Sequence, residues 1–356
     1  MNDLPYLTTR LRAMRGRLLD AAAYRRILAL PDLPAMIAFL REGPYGRFIA
    51  AAPEAASDAE KIEEALRRDF SATLGRLFVI SAGEAREAVQ RLVGYWELQN
   101  LKTIARGKGG GSPPEEILAS LVPTGLHDEA ALQEMIRQPT LRAVADLLLT
   151  WRDPYGPPLS HALKEYREPR DLFLLEAALD RFYFEEAFRA LKAPPVLSIP
   201  QIREAPLLLF LGLLADKTNL MTALKGVEEQ ISPAGGEPYF IPGGAVYRAK
   251  DFARLLTARS PQEAAEMARR SVFDAALKDL EAAPGGVSFL SMVERRLDRL
   301  LLRKMRAPSR SDPLGIGAVV SYLLDKTREL TNLRMIFRAR WARLPEPDLM
   351  RLLILE

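Results

Sequence analysis

The chain contains no cysteine and only two histidines, His127 and His161. A disulfide framework, a thiolate zinc site, a cysteine nucleophile and a multi-histidine metal cage are excluded by that count, and much enzyme chemistry with them. Long apolar runs are also missing. The longest, residues 205–215, has eleven residues, whereas a membrane-spanning helix needs roughly 20. The start, MNDLPYLTTR, lacks an apolar segment leading to a small-residue cleavage site, so no secretory signal is expected and a cytoplasmic protein is. Neither sign of charge dominates: 50 basic against 46 acidic side chains leave +4, which is no nucleic-acid signature by itself.

What is present is enough to fold. At 356 residues, 48% hydrophobic and 27% charged, the chain has the length for two or three domains and is too apolar for a disordered one. Charge is uneven along it, +4 over residues 1–110, −6 over 111–230 and +6 over 231–356.

The periodicity is helical almost throughout. Val89, Leu92, Val93 and Trp96 recur at offsets of three, four and seven, which puts them on one face of a helix over 85–106. Residues 62–77, 172–191, 289–305 and 319–342 repeat the pattern in Ala, Leu, Glu and Arg, all strong helix formers. Breaks are expected at GKGGGSPP (107–114), PYGPP (154–158), 194–200 and SPAGGEPYFIPGG (232–244). Any strand pair should be a short hairpin near 239–247. Ser311-Asp312-Pro313 reads as the start of a long carboxy-terminal helix, since the acid can cap free amides and proline suits the first turn.

Internal repetition organises the chain. Glu97-x-x-Asn100 is followed by Arg106, Asp216-x-x-Asn219 by Lys225 and Glu329-x-x-Asn332 by Arg338, the base always six after the asparagine, at spacings of 119 and 113. A second marker, Glu-x-x-Leu-x-Arg at 63–68, 176–181 and 294–299, recurs at 113 and 118. Pro44-Tyr45-Gly46 and Pro154-Tyr155-Gly156 are 110 apart, with Phe273 as a weak third copy. We therefore read an all-α protein of three similar helical units of about 115 residues, 1–110, 111–234 and 235–356. That period is far longer than the roughly 20 to 50 residues of solenoid repeats, so each unit can own a core and three can close around a pseudo-threefold axis.

Catalytic motifs fail one by one. In GKGGGSPP, Lys108 is followed by glycine rather than Ser or Thr and no strand precedes it, so a flexible linker is expected instead of a phosphate loop. Gly315-Ile316-Gly317 lacks the third glycine of a dinucleotide turn. Neither histidine has a nucleophile motif beside it, and both read as surface or cap residues. Adjacent acids such as Glu63-Glu64, Glu185-Glu186 and Glu228-Glu229 read as solvated helical faces. The repeated acid and asparagine share a helix face, where a packing contact reused in each copy is the plainest reading. The basic stretch 295–310 could be a solvated face, a nucleic-acid patch or a docking surface, and it lacks the interleaved aromatics of single-strand binders.

Several segments resemble one family, the central-stalk subunit of V-type ATPases called C in bacteria and archaea and d in eukaryotes. They are Tyr6-Leu7-x-x-Arg10-x-Arg12-x-x-Arg15-Gly16-x-Leu18-Leu19, Gly83-Glu84-Ala85-Arg86-Glu87-Ala88-Val89 with Leu98-x-Asn100-Leu101, Phe240-Ile241-Pro242-Gly243-Gly244, and Asp312-Pro313-Leu314-Gly315-Ile316-Gly317 through Tyr322 and Asn332-Leu333-Arg334 to Arg340. The likeness runs end to end and rests on structural rather than catalytic signatures. It implies a funnel of three domains with pseudo-threefold symmetry, without catalysis or cofactor. It implies a place at the cytoplasmic face of the membrane, with the proteolipid rotor ring, the central shaft subunits and the membrane stator subunit as partners and no nucleic acid. The expected role is a rotor socket that carries torque for proton or sodium transport; the competing reading is a helical scaffold for soluble partners. Pro44, Tyr45, Gly46, Pro154, Tyr155, Gly156 and Phe273, one aromatic break per copy, are candidates for contacting the ring, against the plainer expectation that each ring plugs its own core.

Overall fold

The computed structural model describes residues 4–54, 56–164, 172–192, 200–280, 288–341 and 346–355. Helices and turns account for them, with no strand among the described residues, and the fold is all-α. After α1 (Leu4–Arg15), one order of elements occurs three times, three short helices and then two long ones. Its first pass is α2 (Ala21–Ala29), α3 (Leu33–Arg41), α4 (Gly46–Ala50), α5 (Asp58–Ile80) and α6 (Gly83–Gly109). After α7 (Pro114–Ser120) come α8 (Glu129–Arg137), α9 (Leu141–Thr150), α10 (Gly156–Ala162), α11 (Leu172–Lys192) and α12 (Pro200–Glu228). The last pass is α13 (Ala249–Leu255), α14 (Pro261–Met267), α15 (Asp274–Leu277), α16 (Phe289–Ser311) and α17 (Ile316–Trp341), closed by α18 (Glu346–Leu352).

Start signals repeat with the elements. Asp20 and Asp128 cap α2 and α8 by accepting from the amide three residues on, and Asp32, Thr140 and Ser260 do the same for α3, α9 and α14. The third short helix starts each time on an aromatic residue, Tyr45, Tyr155 or Phe273, with nearly the same helical backbone angles and no side-chain cap. In two copies a glycine follows because the chain turns back against the helix before it. A Cβ on Gly46 would stand 2.1 Å from the Arg41 carbonyl oxygen, and one on Gly156 2.8 Å from the Leu149 nitrogen. Long helices bury one stripe, as in α5, where Ile62, Leu66, Phe70, Leu74 and Leu77 follow the helical period inward.

The described residues fall into two compact units. One combines the two ends of the chain, up to residue 89 and from residue 304; the other holds residues 90–280 and 288–303. Leu7, Ile27, Met36, Leu66, Leu74, Val319 and Ile336 are core residues of the first, and Val93, Leu132, Leu148, Leu179, Phe184, Leu211 and Leu297 of the second. Residues Ala205–Glu228 of α12 are long and apolar enough to cross a bilayer by composition, but 72% of their most apolar window is buried inside the protein, as in a core helix.

Four expectations change. GKGGGSPP is not a loose linker: α6 continues through Gly109, and the amides of Gly110, Gly111 and Ser112 bond the carbonyls of Arg106, Lys108 and Gly107, with Gly111 at φ +70 ending the helix. No hairpin forms at 239–247, because side chains of α12 already take the backbone groups a hairpin would pair. A long carboxy-terminal helix does follow Ser311-Asp312-Pro313, but these residues do not form its cap and first turn. Residue 311 ends α16 and α17 starts at Ile316, the Asp312 carboxylate accepting from the Leu314 amide in the turn between. The fourth is His127, taken up with its surroundings below. The expected break at 194–200 lies outside the described residues except for Pro200, and so does Ala342.

Candidate functional site

The repeated acid and asparagine hold backbone. Asn100 donates to the Val122 carbonyl at 2.7 Å and accepts from the Val122 amide at 2.9 Å. Asn219 treats Ile241 alike at 2.8 and 2.8 Å, and Asn332 treats Ile354 alike at 2.8 and 3.1 Å. Each clamp reaches 22 residues ahead. One amide side chain satisfies both backbone groups of one residue, as a neighbouring strand would, so the segment after each long helix is held without a sheet.

The acid three residues earlier grips the chain further on, and each copy solves its buried charge differently. Glu97 accepts from the Thr124 hydroxyl, from the His127 amide and, at 2.7 Å, from His127 Nδ1. Asp216 accepts from the amides of Val246 and Tyr247 at 2.7 and 3.0 Å. Glu329 accepts from the Leu19 amide, from Tyr45 Oη at 2.5 Å and from Lys326 Nζ at 2.7 Å. In the last copy, residues near the start of the chain supply the amide.

Protonation follows from these settings. Burial alone would push the His127 imidazole down, but it lies between Asp153 (Nε2 to Oδ2, 3.0 Å) and Glu97, and the two carboxylates lift it to about 10. His127 is thus a buried cation and not the surface or cap histidine expected, because its acids come from 30 residues before and 26 after it. Burial pushes Asp216 up to about 6, its amide donors offsetting only part of the cost. Lys326 is lowered by burial and raised more strongly by Glu329 and Asp69, so it stays charged. His161 is exposed.

The bases join long helices in pairs. Arg106 on α6 makes a two-pronged bridge to Glu176 on α11, both contacts 2.6 Å. On α17, Arg338 lies 3.6 Å and Arg334 2.9 Å from Glu63 of α5. Lys225 on α12 instead rests over the Phe173 ring at 4.6 Å. The two repeat markers therefore meet in two copies, acid of one against base of the other. Sequence reasoning missed the deeper pairs: Lys102 with Asp180 at 2.7 Å, Lys217 with Asp298 at 2.5 Å, and Lys326 with Asp69 at 2.5 Å. Their only signal was a charged residue on an otherwise apolar helix face. The adjacent acids do lie on outer faces, Glu185 paired with Arg181 and Glu186 with Arg189, but Glu63 reaches across to α17.

The aromatic breaks place their rings inward. Tyr45 and Phe273 are fully buried and Tyr155 nearly so. Tyr155 packs edge-on to Phe182 at 5.2 Å and Phe273 against Tyr247 at 5.3 Å. Pro44 and Gly46 are half-buried, Gly156 is buried and Pro154 is exposed, next to an exposed Trp151.

A model of the ATP synthase (C/AC39) subunit family matches residues 7–352. The chain belongs to this family. Among its relatives, the C subunit of the A-type ATP synthase of Haloferax volcanii is 31% identical over 96% of this chain and 94% of that protein. The C subunit of the V-type ATP synthase of Thermus thermophilus is 30% identical over 97% and 96%, and that of the A-type ATP synthase of Methanosarcina acetivorans is 28% identical over 97% and 91%. A C/AC39 subunit is one component of an A/V-type ATP synthase, so this chain works as part of that complex. Each repeated acid and each repeated asparagine of the clamps holds main chain.

Proposed function

We propose that this subunit is a non-catalytic rotor part, a socket that joins the central shaft to the proteolipid ring at the cytoplasmic face of the membrane and carries torque for ion transport. Family membership over almost the whole chain is the observation that supports this most. The three-unit division at 1–110, 111–234 and 235–356 and its funnel arrangement belong to the same proposal, supported by an element order and an asparagine clamp that each occur three times. Each long helix is tied to another by buried or half-buried charge pairs, which resist sliding under load in a way that purely apolar ridges do not. Tyr45, Tyr155 and Phe273 then act by fixing the shape of the breaks, and residues around them such as Pro154 meet the ring. The glycine segment after α6 spends its amides on its own helix end, which supports a role without nucleotide binding.

Membrane vesicles stripped of this subunit and then reloaded test the socket role. Removal should leave ATP hydrolysis by the soluble sector but abolish hydrolysis-driven ion uptake, and the purified chain should restore uptake. Full uptake without the chain would reject it.

A further inference from the structure

The repeats act as internal controls for one another, and one position in the α5–α17 copy departs from the other two. Counted from the repeated asparagine, Lys326 answers to Gly94 and Leu213; counted from the second marker, Asp69 answers to Phe182 and Leu300. Two copies fill this place with apolar contacts, Tyr183 against Gly94 and Tyr155 on Phe182 in one, buried Leu213 and Leu300 in the other. The third buries an ammonium and a carboxylate 2.5 Å apart. Apolar residues of like size would serve stability as well or better, because burying an ion pair carries a desolvation cost. The other two copies carry their buried lysine–aspartate pairs, Lys102 with Asp180 and Lys217 with Asp298, at other repeat positions, so the place of the pair and not its presence sets this copy apart.

Above that pair lies a cavity of about 440 Å³, formed within the unit of the two chain ends. Arg17, Arg47 and Arg76 line it, together with Glu42. Among the described residues, the Arg17 and Arg76 guanidiniums have no hydrogen-bond or ion-pair partner, while Arg47 rests on the Phe48 ring at 4.3 Å. The other copies do not repeat this set. Arg47 answers to Pro157 and Ala275, and Arg76 to Ala307 and to Arg189, which Glu186 already holds.

From this geometry we infer that the cavity binds a small phosphorylated molecule, its phosphate oxygens on the three arginines. Three guanidiniums bring about five N–H donors each, far more than one carboxylate can accept and well suited to a phosphate group. The volume falls in the range of roughly 300 to 1,000 Å³ typical of small-ligand sites. Asp69 and Lys326 among the cavity's lining residues already hold each other at 2.5 Å, which leaves the three arginines to meet the phosphate.

Titration calorimetry of the full chain with inorganic pyrophosphate tests this. One saturable site is expected, weakened at least tenfold in Arg17→Ala/Arg76→Ala with unchanged melting temperature. Arg142→Ala/Arg259→Ala, which removes equal charge elsewhere, should leave binding intact. Flotation with phosphatidylglycerol vesicles tells the ligand's source: arginine-dependent flotation competed by pyrophosphate identifies a lipid headgroup, and its absence with pyrophosphate bound identifies a free anion. No pyrophosphate binding, equal loss in both double variants, or tighter binding of a glutamate-rich peptide would overturn the inference while leaving the socket reading untouched.

Discussion

Single residues here carry unusual charge. His127 holds its proton far more tightly in the folded chain, at about 10, than in the unfolded one, near 6.5. Its stabilisation is therefore complete below about 6.5 and is lost as pH climbs through about 10. Replacing it by Gln leaves Glu97 and Asp153 facing each other unneutralised, a change that costs about 3 to 5 kcal/mol. Thermal melts should show that deficit at pH 6 and a shrinking gap between wild type and His127→Gln as pH approaches 10. A gap that did not change with pH would mean the imidazole is neutral in the fold. Tyr45→Ala should lower stability by roughly 3 to 5 kcal/mol in urea titrations, because the ring is fully enclosed and its hydroxyl holds Glu329. The burial of Tyr45 was the plainer reading of the aromatic breaks in the sequence, but the charge held on His127 was not legible there. His127 stood alone there, and its acids lie on other elements.

Elements were more legible. The long helices over 62–77, 85–106 and 289–305 follow from apolar spacing, and each falls inside α5, α6 or α16. Periodicity failed where a side chain outcompeted a local pattern. Aromatic and β-branched residues at 239–247 suggest a hairpin, yet Asn219 and Asp216, more than twenty residues earlier, claim the amides of Ile241, Val246 and Tyr247. The same competition makes the clamps unequal. Ile241 is buried, so Asn219→Ala leaves both of its backbone groups without water and should cost about 3 kcal/mol. Val122 is only half-buried, so Asn100→Ala should cost about 1 kcal/mol, since solvent can replace the lost bonds. Denaturant midpoints of the two variants check the order; equal losses would mean the amide matters for packing alone.

At the scale of the whole molecule, repetition was the informative signal. Markers about 115 residues apart could be read directly, and in two copies they meet as salt bridges, Arg106 to Glu176 and Arg338 to Glu63. What the sequence could not show is that the last copy is completed by the first residues: Glu329 bonds the Leu19 amide and the Tyr45 hydroxyl, more than 280 positions away. A chain folded this way needs both ends in place. Trimming residues 1–20 should therefore expose Glu329 and destabilise the unit of the chain ends, seen as early amide exchange in α17. Affinity purification of the tagged chain from detergent-solubilised membranes tests the socket role. The proteolipid ring and the shaft proteins should co-elute with the chain in fixed proportion; recovery with soluble proteins alone would rule the socket out.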